Sequence, residues 1–162
     1  MANITAAAVN ELRKRTGVGM MDCKKALVEC DGDMDKAIDY LREKGQKLAA
    51  KRADRDASEG AVLATVNADK TFAAVIMMNC ETDFVAKNED FVAFTREVLQ
   101  TAVDAKAKSL EEVMALTING LSVETMIVEQ VAKIGEKITL SHYYPIEAVA
   151  TYAYVHPGNR MA

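Results

Sequence analysis

The sequence predicts an α+β protein: a small three-helix bundle, a basic helical linker, then an antiparallel sheet packed with helices. Three observations carry that prediction. Apolar residues recur at helical spacing over residues 1–45. Two strand-length apolar runs, 61–66 and 72–78, flank a polar turn. Helical periodicity then returns from residue 82 to about residue 134, before two further strand-like runs.

The elements follow in order. Thr5 can cap a first helix whose stripe is Ala8, Val9 and Leu12, ending at the Gly17-Val-Gly19 break. A second helix, starting near Met21 or Asp22, puts Cys23, Ala26, Leu27 and Cys30 on one face. After the Asp31-Gly-Asp33 turn, Asp33 caps a third helix with Ala37, Ile38 and Leu41 inward and Gly45 placed to end it. Residues 1–45 therefore form one small domain, too small to bury much. Residues 46–58 read as a basic linker. Arg42, Lys44, Lys47, Lys51, Arg52 and Arg55 outnumber the nearby acids, and no aromatic residue is interleaved for base stacking. The linker is expected to be solvated, without RNA contact.

Residues 59–162 make the second domain. Ala61–Val66 and Phe72–Met78 should pair through a turn at Asn67–Lys70. Thr82–Ala105 reads as one amphipathic helix carrying Phe91, Phe94, Val98, Leu99 and Val103. Ser109, with Glu112 three residues later, caps a short helix. Another helix from Ser122 to Gly135 carries Val123, Met126, Ile127, Val131 and Ile134. Ile138, Leu140, His142 and Tyr144 alternate as a strand, Ala148–Val155 follows as a second, and Pro157–Asn159 is a turn. A strand that enters a turn without a returning partner leaves an open edge, so the chain is expected to be truncated there.

Bulk properties narrow the class. The chain has 162 residues, 50% hydrophobic, with charges of both signs interspersed, which argues against disorder. A net charge of −4 argues against a protein built chiefly to hold nucleic acid. Cys23, Cys30 and Cys80 show no metal-ligand spacing; Cys23 and Cys30, seven apart in a helical pattern, read as small buried hydrophobes. No signal-peptide pattern and no membrane-length apolar run is visible, so a reducing cytoplasm is expected. There is no glycine-rich phosphate loop, hence no expected nucleotide binding by the chain itself. His142 or His156 could in principle serve Cys80 as a base, but no orienting motif accompanies them. Neither a cofactor nor enzymatic turnover is expected.

Some residues invite two readings. Phe84 follows Asp83 where a strand-like run gives way to a helix, with Thr82 a candidate cap. It is either core or an anchor displayed at a corner. Asp83 either meets a partner or caps its own helix. Met20 and Met21 cannot both face one small core, so at least one should be exposed.

Two segments carry a family resemblance. Leu12-Arg-Lys-Arg-Thr-Gly-Val-Gly-Met-Met-Asp-Cys-Lys-Lys-Ala-Leu27 and Asn79-Cys-Glu-Thr-Asp-Phe-Val-Ala-Lys87 closely resemble the two signature regions of elongation factor Ts. Ala132-Lys-Ile-Gly-Glu136 is similar to a further family segment. The likeness runs from residue 1 to about residue 156. It implies a ubiquitin-associated-like bundle and an exchange factor for the GTPase elongation factor Tu, acting by contact. It implies that Thr82, Asp83, Phe84 and Val85 disturb the partner's Mg²⁺ and phosphate site, with Phe84 entering between helices. It also implies docking by the bundle through Leu12, Val18, Met20 and Met21. Family members continue into a second core subdomain that is not expected within these 162 residues, so a binding-only module is the alternative, and dimerisation stays open. A ubiquitin-like protein as partner is a third reading, drawn from the bundle alone.

Overall fold

The computed structural model describes residues 4–162. It contains two compact units, one reaching to Asp54 and including Val128–Glu136, the other Arg55–Ile127 with Lys137–Ala162.

The first unit is built from strong local stops and starts. Helix α1 (Ala6–Thr16) begins where Thr5 Oγ1 accepts the Ala8 N–H at 3.2 Å. It ends at Gly17, whose φ of 69° lies in the left-handed region that glycine enters without a Cβ clash. Helix α2 (Met20–Glu29) follows Gly19, and helix α3 (Met34–Lys51) is capped by Asp33, which accepts the Lys36 N–H at 3.1 Å. Val9, Leu12, Val18, Cys23, Ala26, Leu27, Ala37 and Leu41 form one buried cluster. Each fully buried Val or Leu there contributes about 1.5–3 kcal/mol.

Gly45, expected to end the third helix, lies inside α3, which runs on through the basic stretch. The reason is packing. A Cβ at Gly45 would come within 2.9 Å of the Ala132 Cβ, so this glycine permits close approach rather than a left-handed cap.

The second unit starts with β1 (Glu59–Val66) and β2 (Phe72–Cys80), antiparallel in register from Glu59↔Cys80 to Val66↔Ala73. Asn67 shapes the turn between them by accepting the Thr71 and Phe72 N–H groups, each at 3.0 Å. The helix expected over Thr82–Ala105 is two helices, α4 (Asp83–Ala86) and α5 (Glu89–Asp104). Asn88 separates them because its carboxamide oxygen caps α5, accepting from Asp90 and Phe91. The five apolar residues expected on its inner face are all buried.

Ser109 caps α6 (Leu110–Ala115) as expected. A two-residue hairpin then intervenes, β3 (Thr117–Ile118) and β4 (Leu121–Ser122), joined by Asn119 and Gly120, both with positive φ. The Asn-Gly dipeptide was the available signal for that turn. Helix α7 (Val123–Ile134) begins in the second unit and ends in the first.

Strand β5 (Thr139–Glu147) completes a sheet of order β1-β2-β5. Its expected alternation holds only for Ile138 and Leu140. Met77 pairs with His142 but Met78 with Leu140, so Ser141 is an extra residue, a bulge that inverts the phase. Tyr143 therefore turns inward and donates its hydroxyl to the Ala107 carbonyl at 2.9 Å, while His142 and Tyr144 face out.

The strand expected over Ala148–Val155 does not form. Val149, Tyr152 and Tyr154 are exposed, and the segment is held by isolated bonds rather than a ladder. Strand propensity in such residues is expressed only against a packed, paired neighbour. The turn expected at Pro157–Asn159 is present. Among the described residues no helix is long and apolar enough to cross a membrane.

Candidate functional site

The Asn79–Lys87 segment forms a corner where the central strand gives way to α4. Asn79 is buried, and its carboxamide donates to the Glu59 carbonyl on β1 at 3.3 Å. It also accepts the Ser141 hydroxyl on β5 at 2.5 Å. The end of β2 is thereby tied to both flanking strands. The Cys80 thiol donates to the Thr82 carbonyl at 3.2 Å, and the Glu81 carboxylate accepts the Lys137 N–H at 2.6 Å.

Helix α4 is a single turn held at both ends. Thr82, extended at φ −123° and ψ 153°, accepts the Val85 N–H on its hydroxyl at 3.4 Å. Ala86 is buried beneath it. Phe84 points the other way and is 83% exposed. A phenylalanine left in water forgoes about 1.5–3 kcal/mol of burial, so its display has a cost that the fold itself does not recover. Thr82, Asp83 and Val85 are half-buried around it.

Asp83 is engaged inside its own helix. Its carboxylate accepts from the Lys87 ammonium at 2.6 Å, one turn along. That hydrogen bond and the Lys87 charge hold the carboxyl below its ordinary range, and the Arg160 charge acts in the same direction. The cap belongs to Thr82, so Asp83 is an ionised acceptor at the rim of the exposed ring.

In the first unit the four expected contact residues separate into two pairs. Met20 is 52% and Met21 75% exposed on the first turn of α2. Leu12 is 0% and Val18 6% exposed, so neither offers a surface to a partner. Leu12 lies on the inward stripe of α1, one turn after Val9. Val18 folds inward between two glycines, and its carbonyl accepts the Cys23 thiol at 3.4 Å. Val28, not singled out from the sequence, is exposed further along α2.

The remaining candidates are occupied locally. His142 Nδ1 lies 2.7 Å from the Ser141 hydroxyl and His156 Nδ1 2.9 Å from the Tyr154 hydroxyl. Cys23 and Cys30 are free thiols, and among the described residues no cluster has the makings of a metal site. Sequence reasoning missed Asn79 and Ser141 as the ties of the corner. An asparagine closing an apolar strand was the one visible hint.

Comparison with known proteins follows the same division. Residues 81–162 match the family described as elongation factor TS, and residues 1–49 the family described as elongation factor Ts, mitochondrial, N-terminal. Elongation factor Ts of Christiangramia forsetii is 54% identical over 162 residues, covering 100% of this chain and 58% of the relative. That of Flavobacterium johnsoniae is 52% identical over 156 residues, covering 96% and 48%. That of Rhodopirellula baltica is 50% identical over 161 residues, covering 99% and 49%. The chain spans about half the length of the curated relatives it matches.

Proposed function

The chain belongs to the elongation factor Ts family, and we propose that it acts in translation elongation by promoting GDP release from elongation factor Tu in the cytoplasm. The observation that carries this reading is the exposed ring of Phe84 on a corner tied to three strands. The action is contact rather than bond-making.

Tight GDP binding in such a GTPase depends on Mg²⁺ bridging the phosphates and on the shape of the phosphate loop. A wedge that binds better when that geometry is disturbed weakens nucleotide affinity by the same factor, because the two equilibria are linked. Phe84 is the wedge. Thr82 and Val85 fix its direction, and Asp83 presents a carboxylate beside it. Burial of the ring in the partner supplies about 1.5–3 kcal/mol, a tenfold to hundredfold shift. Larger acceleration requires further contact, for which Met20 and Met21 offer an adaptable apolar surface.

Substituting Phe84→Ala tests the reading. Stopped-flow release of a fluorescent GDP from elongation factor Tu should slow about tenfold to a hundredfold. The free chain's melting should hold, since the ring makes no core contact worth more than about 0.5 kcal/mol. Unchanged release would remove Phe84 from the mechanism.

A binding-only module is the second reading, in which Phe84, Met20 and Met21 hold the GTPase without loosening its nucleotide. Titration of the GTPase, with affinity and release rate measured together, separates the two. Binding without faster release would select the second.

A further inference from the structure

Residues 148–160 leave β5, where the Ala148 N–H donates to the Thr71 carbonyl at 3.0 Å, and return along the outer edge of β1 as a strap with three further fastenings. The first is Thr151, buried, whose N–H and hydroxyl both donate to the Lys70 carbonyl at 2.7 and 2.9 Å. The second is the Asn159 carbonyl, which accepts the Val62 N–H of β1 at 2.7 Å. Around Asn159 the turn closes on itself, with the His156 N–H donating to the Met161 carbonyl at 2.8 Å. The third is Arg160, whose guanidinium donates to the Glu59 carboxylate at 2.5 Å.

Glu59 is the residue where strap and corner meet. It opens β1, pairs in register with Cys80, and lends its carbonyl to the Asn79 carboxamide. We propose that Arg160 is a positioning residue for the Phe84 anchor: clamped to Glu59, it fastens the strap to the strand end that holds Asn79 and thereby steadies the corner. The inference rests on the reading of Phe84 as the group that acts on the GTPase. Lys87 dominates the field at Asp83, and the Arg160 charge adds to it, which fits a guanidinium close to the same corner.

The ion pair is partly exposed, so its removal corresponds to a change of at most about fivefold. Two measurements read it. In the free chain, Arg160→Ala should speed hydrogen exchange at the Val85 and Ala86 amides about threefold, while the Ile76 amide in the central strand stays as it was. Arg160→Lys should restore most of the protection, as should the charge reversal Glu59→Arg with Arg160→Glu, whereas Glu59→Arg alone should not.

In stopped-flow GDP release from elongation factor Tu, Arg160→Ala should lower the saturating rate about threefold with the half-saturating concentration unchanged. In a Phe84→Ala background it should change nothing further, because it acts through that ring. The proposal is overturned if the Val85 and Ala86 amides are indifferent to Arg160→Ala, if the charge reversal fails to restore them, or if the two substitutions multiply. Should the amides respond while neither substitution alters GDP release, the positioning role stands and the exchange reading falls.

Discussion

The carboxamide of Asn79, at the end of the central strand, accepts the hydroxyl of Ser141, the bulged residue of β5, at 2.5 Å. The same side chain donates to the Glu59 carbonyl on the opposite strand. One buried polar group thus sets where the sheet stops and where α4 begins. Replacing it removes both bonds, each worth about 0.5–1.5 kcal/mol net, so the loss is about 1–3 kcal/mol. Asn79→Ala should lower the denaturation midpoint of the second unit accordingly in urea titration. An unchanged midpoint would show the ties to be ornamental.

Buried and exposed residues of the first unit should respond oppositely. Leu12→Ala removes a fully buried side chain and should cost about 2–5 kcal/mol, enough to melt so small a bundle. Met21→Ala should change stability by less than about 0.5 kcal/mol while weakening affinity for the GTPase. Thermal melting with calorimetric titration distinguishes them. A Met21→Ala chain that binds normally would take that residue out of the docking surface.

Gly45→Ala sets two effects against each other. Helix propensity favours alanine by about 0.5–1 kcal/mol. A Cβ placed 2.9 Å from that of Ala132 forces a shift that costs about 1–3 kcal/mol. The clash wins, so the variant should be less stable by about 1 kcal/mol in denaturant titration. Greater stability would mean that the close approach is not needed.

Alkaline pH should act through Tyr143. Burial, with a smaller contribution from the Glu112 charge, pushes its phenol up from 10.0 to about 12. The native chain keeps the proton that the unfolded chain releases. Stability from this group is therefore full below pH 10 and is lost as pH rises from 10 toward 12. Tyr143→Phe should cost about 1 kcal/mol at neutral pH through the lost bond to the Ala107 carbonyl. It should also flatten the decline between pH 10 and pH 12. An equally steep decline in Tyr143→Phe would assign it to other groups.

The amino-acid sequence by itself determined the local grammar of this protein. The caps at Thr5, Asp33, Thr82 and Ser109, the turns, the amphipathic faces and the α+β class all follow from backbone preferences and from spacing within a few residues. The signature segments likewise pointed to the family. Tertiary structure decided which way particular side chains turn. Leu12 and Val18 went inward because the bundle needs them, Gly45 stayed helical because Ala132 approaches it, and the extra residue Ser141 exchanged Tyr143 for Tyr144 in the core. Whether Phe84 would be core or displayed was equally undetermined by spacing. Burial is a property of what lies opposite a side chain, and that neighbour comes from distant sequence, tied at this corner by Asn79 between Glu59 and Ser141.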